Sequence, residues 1–128
     1  MADDSGTIVA SGGSLNIPSG SGSERLRRVT VHQQNNGWAN NVISGTAGHL
    51  YTILSITYTD QQGANGNIAI RVNNGTHDVY LLHSQSVNSL DTFVWNDKFV
   101  LEEDDDLDLY NSVTNGHWYI TYIDQDWS

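Results

Sequence analysis

"NIAIRVNNGTHDVYLLH", residues 67–83, decides how the rest of the chain is read. Ile68, Ile70 and Val72 alternate with Ala69 and Arg71, the period of two that a half-buried strand requires. The three larger apolar side chains therefore point inward and Arg71 outward. Asn74-Gly75 follows, a pair that tolerates the positive φ of a tight turn, and "HDVYLLH" returns as a second strand-forming run. The segment reads as a hairpin.

Working outward, the same kind of run recurs along the chain. "RLRRVTVH" (25–32) has Val29 and Val31 in phase. "HLYTILSITYT" (49–59) is expected to place Leu50, Leu54, Ile56 and Tyr58 on its buried face. "TFVW" (92–95), "KFVL" (98–101), "LDLY" (107–110) and "HWYITYI" (117–123) complete the set. Three more Asn-Gly pairs, at 36–37, 65–66 and 115–116, mark turns between runs. Short strands at intervals of roughly 8–12 residues point to a sandwich or barrel, and no window carries a long amphipathic helix. The expected fold is all-β: a jelly-roll-like antiparallel β-sandwich of about eight strands over residues 25–128. Residues 1–24 form an extended N-terminal arm rich in Gly and Ser, with Ile8, Val9, Leu15 and Ile17 as apolar anchors. Such a segment cannot build a core alone. A docked strand or a clasp held by neighbouring subunits is the expectation.

Composition removes several function classes. The 128 residues carry 15 acidic and 5 basic side chains, a formal net charge of −10. Phosphate contact needs clustered Lys and Arg, so nucleic acid is excluded as the expected partner. No apolar run of transmembrane length and no signal-peptide pattern occurs, so no membrane is expected either. Absent cysteines remove disulfides and thiolate metal sites.

The most chemical-looking stretch is "VLEEDDDLDLY" (100–110). Asp104, Asp106 and Asp108 imitate the start of an EF-hand loop, but that loop needs Gly at its sixth position and Glu at its twelfth. Leu109 and Asn115 stand there, which leaves the three as weak metal candidates. The expected arrangement is an exposed turn over Glu102–Asp105, then a strand with Leu107 and Leu109 inward and Asp106, Asp108 and Tyr110 outward. No paired ligand spacing links His32, His49, His77, His83 and His117, and no G-x-S-x-G elbow is present. Catalytic residues and cofactors are therefore not expected. Among the four tryptophans, Trp118 alternates as a core residue would. Trp38, in a loop expected over "NNGWANN" (35–41), and Trp127, near the end, are the candidates for a partner interface or a sugar-stacking surface.

The segment "FVLEEDDDLDLYNSVTNGHWYITYIDQ" (99–125) resembles the closing part of small β-sandwich structural proteins of tailed-bacteriophage virions. Leu101, Asp104-Asp105, Leu107 and Leu109 match the turn and strand, and "YITYID" (119–124) matches the ending. The pattern extends over residues 48–124, with Asp104 in place of the glycine usual at the turn. The resemblance implies a non-enzymatic virion component: a capsid cement or decoration subunit on the outside of the head, homo-oligomeric and often trimeric. Its partners would be the major capsid protein or neighbouring virion subunits. The arm anchors Ile8, Val9, Leu15 and Ile17, the basic Arg25, Arg27 and Arg28, and Trp38 and Trp127 are its candidate partner-binding residues. The alternative is a tail or fibre module that binds host carbohydrate through exposed aromatics.

Overall fold

The computed structural model describes residues 14–16 and 23–128, with side chains from residue 23 onward. Ten strands make up all the regular structure in these residues. They are β1 (Ser14–Asn16), β2 (Ser23–Gln33), β3 (Gly37–Ser44), β4 (His49–Asp60), β5 (Gly66–Asn73), β6 (Asp78–Val87), β7 (Thr92–Trp95), β8 (Phe99–Leu101), β9 (Asp106–Asn111) and β10 (Gly116–Asp126). One sheet runs β1-β2-β10-β4, with β7 and β8 sharing the far edge of β4; the other runs β3-β9-β5-β6. All pairings are antiparallel. The chain crosses from one sheet to the other at every connection between β2 and β10 except β5–β6 and β7–β8. With β7 and β8 counted as one position and the short β1 set aside, this is the eight-stranded winding of a jelly roll.

The Asn-Gly pairs stand at strand junctions, but only Asn74-Gly75 closes a hairpin within a sheet. There the Asn74 side chain accepts the Thr76 and His77 N–H groups at 3.0 and 2.8 Å, and Gly75 takes φ 91°. The other three pairs turn the chain from one sheet to the other. Gly37 at φ 123° and Asn115 at φ 58° use that backbone freedom in arches, where the sandwich needs a corner rather than a two-strand ribbon.

Between the sheets lie Ile53, Ile56 and Tyr58 of β4, Ile68 and Ile70 of β5, Leu101, Leu107, Leu109, Trp118 and Ile120. Trp118 packs on Tyr58 with ring centroids 4.7 Å apart and donates Nε1–H to Asn111 Oδ1 at 3.3 Å, so its one polar atom stays satisfied in the core. Gly116 is required beside this pair, because a Cβ there would lie 2.6 Å from the Tyr58 ring.

The strand β4 corrects its expected phase. Tyr51 and Ile53 face inward in its first half, Ile56 and Tyr58 in its second. Against β10 the register shifts at Thr121/Tyr122 and leaves Leu54 as an extra residue. A bulge of one residue reverses which parity points inward. Leu50 and Leu54 therefore do not share the buried face with Ile56 and Tyr58.

A second correction concerns "NNGWANN" (35–41): only Asn35 and Asn36 form a bend, and from Gly37 on the segment is the start of β3. Gly37 at φ 123° opens the strand, and Asn41 at φ 57° sits in a bulge where β3 slips against β9 between Ala39 and Ile43. The asparagines that suggested a loop are the residues best able to adopt that left-handed conformation inside a strand.

Candidate functional site

Two outer surfaces carry the features of interest, one on each sheet. On the four-stranded sheet, alternation turns Trp38 of β3, Asp108 and Tyr110 of β9, Ala69 and Arg71 of β5 and Tyr80 of β6 away from the core. Register aligns them: Trp38 lies opposite Tyr110, Tyr110 opposite Ala69, and Asp108 opposite Arg71, which in turn lies opposite Tyr80. The edge strand β6 is bulged twice against β5. Ala69 faces both His83 and Ser84, Leu81 is an extra residue, and Ser84 takes φ 60°. These bulges bring Tyr80 and His83, three residues apart, onto the same face with ring centroids 4.6 Å apart.

The result is an open cavity of about 300 Å³. Trp38 and Tyr110 wall one side, 5.2 Å apart, and Tyr80 and His83 wall the other. Trp38 meets Tyr80 edge to face at 6.0 Å. Ala69, 3% exposed although it points outward, forms the floor, and Asn67 and Ser84 add an amide and a hydroxyl at the rim.

Trp38 is held from behind. The Arg71 guanidinium lies 3.7 Å from its ring centroid, and Arg71 Nε donates to Asp108 Oδ2 at 3.0 Å. Asp108 also accepts the Asn41 N–H at 2.8 Å, from the β3 bulge. Burial pulls the Arg71 pKa down, but the Asp108 carboxylate, the Tyr80 hydroxyl and Asp78 together hold it above its ordinary value. Asp108 thus departs from its expected solvent-facing role: it is on the outer face but 3% exposed, covered by the groups it binds. It is separated from the acidic turn, and among the described residues no group of three or more His, Asp or Glu side chains is placed to hold a metal ion. The calcium-loop candidates Asp104, Asp106 and Asp108 do not converge.

On the six-stranded sheet, residues pair into cross-sheet rows. Leu26, Ile123, Thr52 and Val100 form one row, and Thr30, Tyr119, Thr57 and Val94 another; His32, His117, Thr59 and Thr92 form a third. Leu26 is 56% exposed, and Val94, Val100 and Tyr119 are each nearly half exposed. No carboxylate stands in these rows, although the chain carries 15.

The other residues singled out from sequence are scattered. Ile8, Val9 and Ile17 lie outside the described residues. Leu15 belongs to β1 and pairs with Glu24 of β2 in the same chain, but its side chain lies outside the description. Arg25, Arg27 and Arg28 do not make one patch, since β2 sends Arg25 and Arg27 to one face and Arg28 to the other. Arg27 Nη1 donates to the buried Asp124 at 3.1 Å, while Arg28 lies 5.9 Å from the Tyr119 ring centroid. Trp127 is 46% exposed beyond β10, anchored by its N–H to the Gly48 carbonyl at 2.7 Å. Sequence reasoning missed Tyr80, His83 and the Arg71–Asp108 clamp. The outward phase of Tyr110 and Arg71 was readable, but not the bulges that gather these side chains around Trp38.

No protein-family model matches the chain, and no curated protein matches it in sequence. Similar folds exist among solved structures. The core of Drosophila NLP, described in terms of pentamer formation and histone binding, superposes with a TM-score of 0.52 at 14% identity, over 77% of this chain and 96% of that one. The acid-stable capsid of Helicobacter pylori bacteriophage KHP30 gives 0.48 at 10% identity, over 78% and 86%. A Bacillus endospore appendage that forms disulfide-linked pili gives 0.47 at 13% identity, over 82% and 89%. The NLP match shows the sandwich fold. A likeness of fold alone does not name this chain's task.

Proposed function

We propose that the chain is a structural, non-catalytic virion subunit that assembles with copies of itself and binds a phage head shell as a cement or decoration protein. The observation that carries this reading is the outer face of the six-stranded sheet, where the rows from Leu26 to His32 hold no carboxylate and Glu24, bonded to Gln125, stands beyond them at one end. In a chain of net charge −10, these three rows of Leu, Ile, Val, Thr, Tyr and His, with the Arg28–Thr121–Ser55 row between the first two, form a surface suited to burial against protein. The virion assignment is supported by the resemblance of residues 48–124 to tailed-phage sandwich proteins. The arm supplies the second contact: Ile8, Val9, Leu15 and Ile17 fill apolar pockets on a neighbour, and its backbone pairs with a sheet edge. Arg28 stands within this contact, between the Leu26 and Thr30 rows, and Trp127 extends it beyond the end of β10.

Light scattering on the purified chain tests the assembly, with Leu26→Arg and Tyr119→Arg as variants. The expected result is an oligomer, a trimer on the phage resemblance, that dissociates when a charge enters either row. An oligomer unchanged by both substitutions overturns the assembly face. Deleting residues 2–22 is expected to leave the sandwich folded and to abolish retention on purified phage particles; full retention overturns the clasp.

A further inference from the structure

We infer that the cavity between Trp38, Tyr80 and Tyr110 is a binding site for one neutral pyranose ring of a glycan. Its size is at the lower limit of small-ligand pockets, which run from about 300 to 1,000 Å³. Its shape is open, as a site for one sugar of a longer chain must be. Sugars present apolar C–H faces ringed by hydroxyls, and the cavity offers the complement: aromatic walls from Trp38, Tyr80 and Tyr110, with the Asn67 amide, the Ser84 hydroxyl and the His83 imidazole around them.

The surrounding charges select a neutral ligand. No Asp, Glu, Lys or Arg lines the cavity. The nearest guanidinium, Arg71, is already engaged by Asp108 and lies against Trp38 at 3.7 Å. A quaternary ammonium ligand would bring a second positive charge to a ring already occupied by one, with no carboxylate free in the lining to balance it. A carboxylated sugar would find no uncommitted cation there.

The site is also built rather than incidental. Asn41 and Ser84 are non-glycine residues at positive φ, one in β3 and one in β6, the two edge strands that flank the cavity. Backbone strain of this kind persists where surrounding structure enforces it, and it concentrates at binding sites. The Asn41 bulge supplies a hydrogen bond to the carboxylate that fixes Arg71 and so Trp38; the Ser84 bulge places His83 beside Tyr80. Both irregularities act on the walls of one cavity. This site faces away from the proposed assembly surface, so it does not depend on the virion reading.

The test uses the full chain, a panel of neutral methyl pyranosides followed by tryptophan fluorescence and amide chemical shifts, and a glycan microarray. The expected result is saturable binding of at least one neutral probe, with a Kd on the order of millimolar for a single ring. Tyr80→Ala, at an exposed position, is expected to weaken it by about tenfold or more. Ala69→Leu, which fills the floor and leaves every aromatic residue in place, is expected to abolish it. Glu103→Gln, on the exposed acidic turn, serves as the control and leaves it unchanged. No binding by any neutral probe, binding that survives Ala69→Leu, or a preference for tetramethylammonium over every sugar overturns the inference.

Discussion

Asp60, the last residue of β4, is 1% exposed and has no cationic partner among its hydrogen bonds; three backbone N–H groups surround its carboxylate instead. Gln62 donates at 2.8 Å, Ala64 at 3.2 Å and Leu90 at 3.0 Å, which ties the β4–β5 arch to the loop before β7. Burial pushes its pKa up, but these donors outweigh burial and hold it below the ordinary carboxylate value. A lowered folded pKa means that the stabilisation is complete above the unfolded value of 3.8 and is lost as pH falls through the folded one. Asp60→Asn is expected to cost about 1–3 kcal/mol at neutral pH, since one acceptor oxygen becomes an amide donor facing other donors. Urea titrations of both proteins check this. The gap should narrow as pH drops below the carboxylate range, and a gap constant down to acid pH would remove the ionised carboxylate from the account.

At the scale of elements, the acidic turn Glu102–Asp105 joins β8 in one sheet to β9 in the other. Asp105 closes it, accepting the Glu102 N–H on its side chain at 2.8 Å while its own N–H donates to the Glu102 carbonyl at 3.0 Å. Gly45, after β3, donates its N–H to the Asp105 carbonyl at 2.7 Å, and a Cβ on it would lie 1.9 Å from the Glu102 carbonyl oxygen. Gly45→Ala must displace one backbone from the other and is expected to lower stability by about 2–4 kcal/mol, as buried strain does. Glu103→Gln, on the exposed turn, should change it by less than about 0.5 kcal/mol. Excess calcium should leave the thermal midpoint where it was; a rise that Asp104→Asn removes would restore a cation to this turn. Sequence patterning located β2 and β4 to β10 because each is a run of alternating or β-branched residues between turn signals. It failed at β3, where Asn40 and Asn41 disguise a bulge. It also failed on the phase of β4, because an extra residue such as Leu54 leaves no mark in composition. The aromatic cavity was hidden for the same reason: its walls come from β3, β9 and β6, and the bulges that align them are visible only in the paired strands.

For the molecule as a whole, the two outer faces differ in character. The four-stranded sheet shows buried and partly buried carboxylates, a clamped guanidinium and an aromatic cavity. The six-stranded sheet shows rows without carboxylates, rich in threonine and apolar side chains. If copies assemble through the second face, folding and association are linked, and the thermal midpoint should rise with protein concentration. Calorimetry over a hundredfold dilution series checks this, with Leu26→Arg expected to flatten the dependence. A midpoint independent of concentration in the unmodified chain would make that face a solvent-facing one.

The pairing of β2 with β10 also sets an order in time. These two strands match residue for residue from Gly116↔Gln33 to Asp126↔Ser23, and the Arg27–Asp124 ion pair between them spans 97 positions of sequence. The central strand of the larger sheet is therefore the last of the described strands. During synthesis β2 and β4 emerge with the edges that β10 will fill still open, and hairpin β5–β6 is the one large unit that can close locally. Distant pairing of this kind makes for slow folding, in the range of about milliseconds to seconds for all-β sandwiches. Until the final strand arrives, the chain must be kept from pairing with its own copies. Its fifteen carboxylates, repelling one another on every nascent chain, supply that protection before there is a fold to protect.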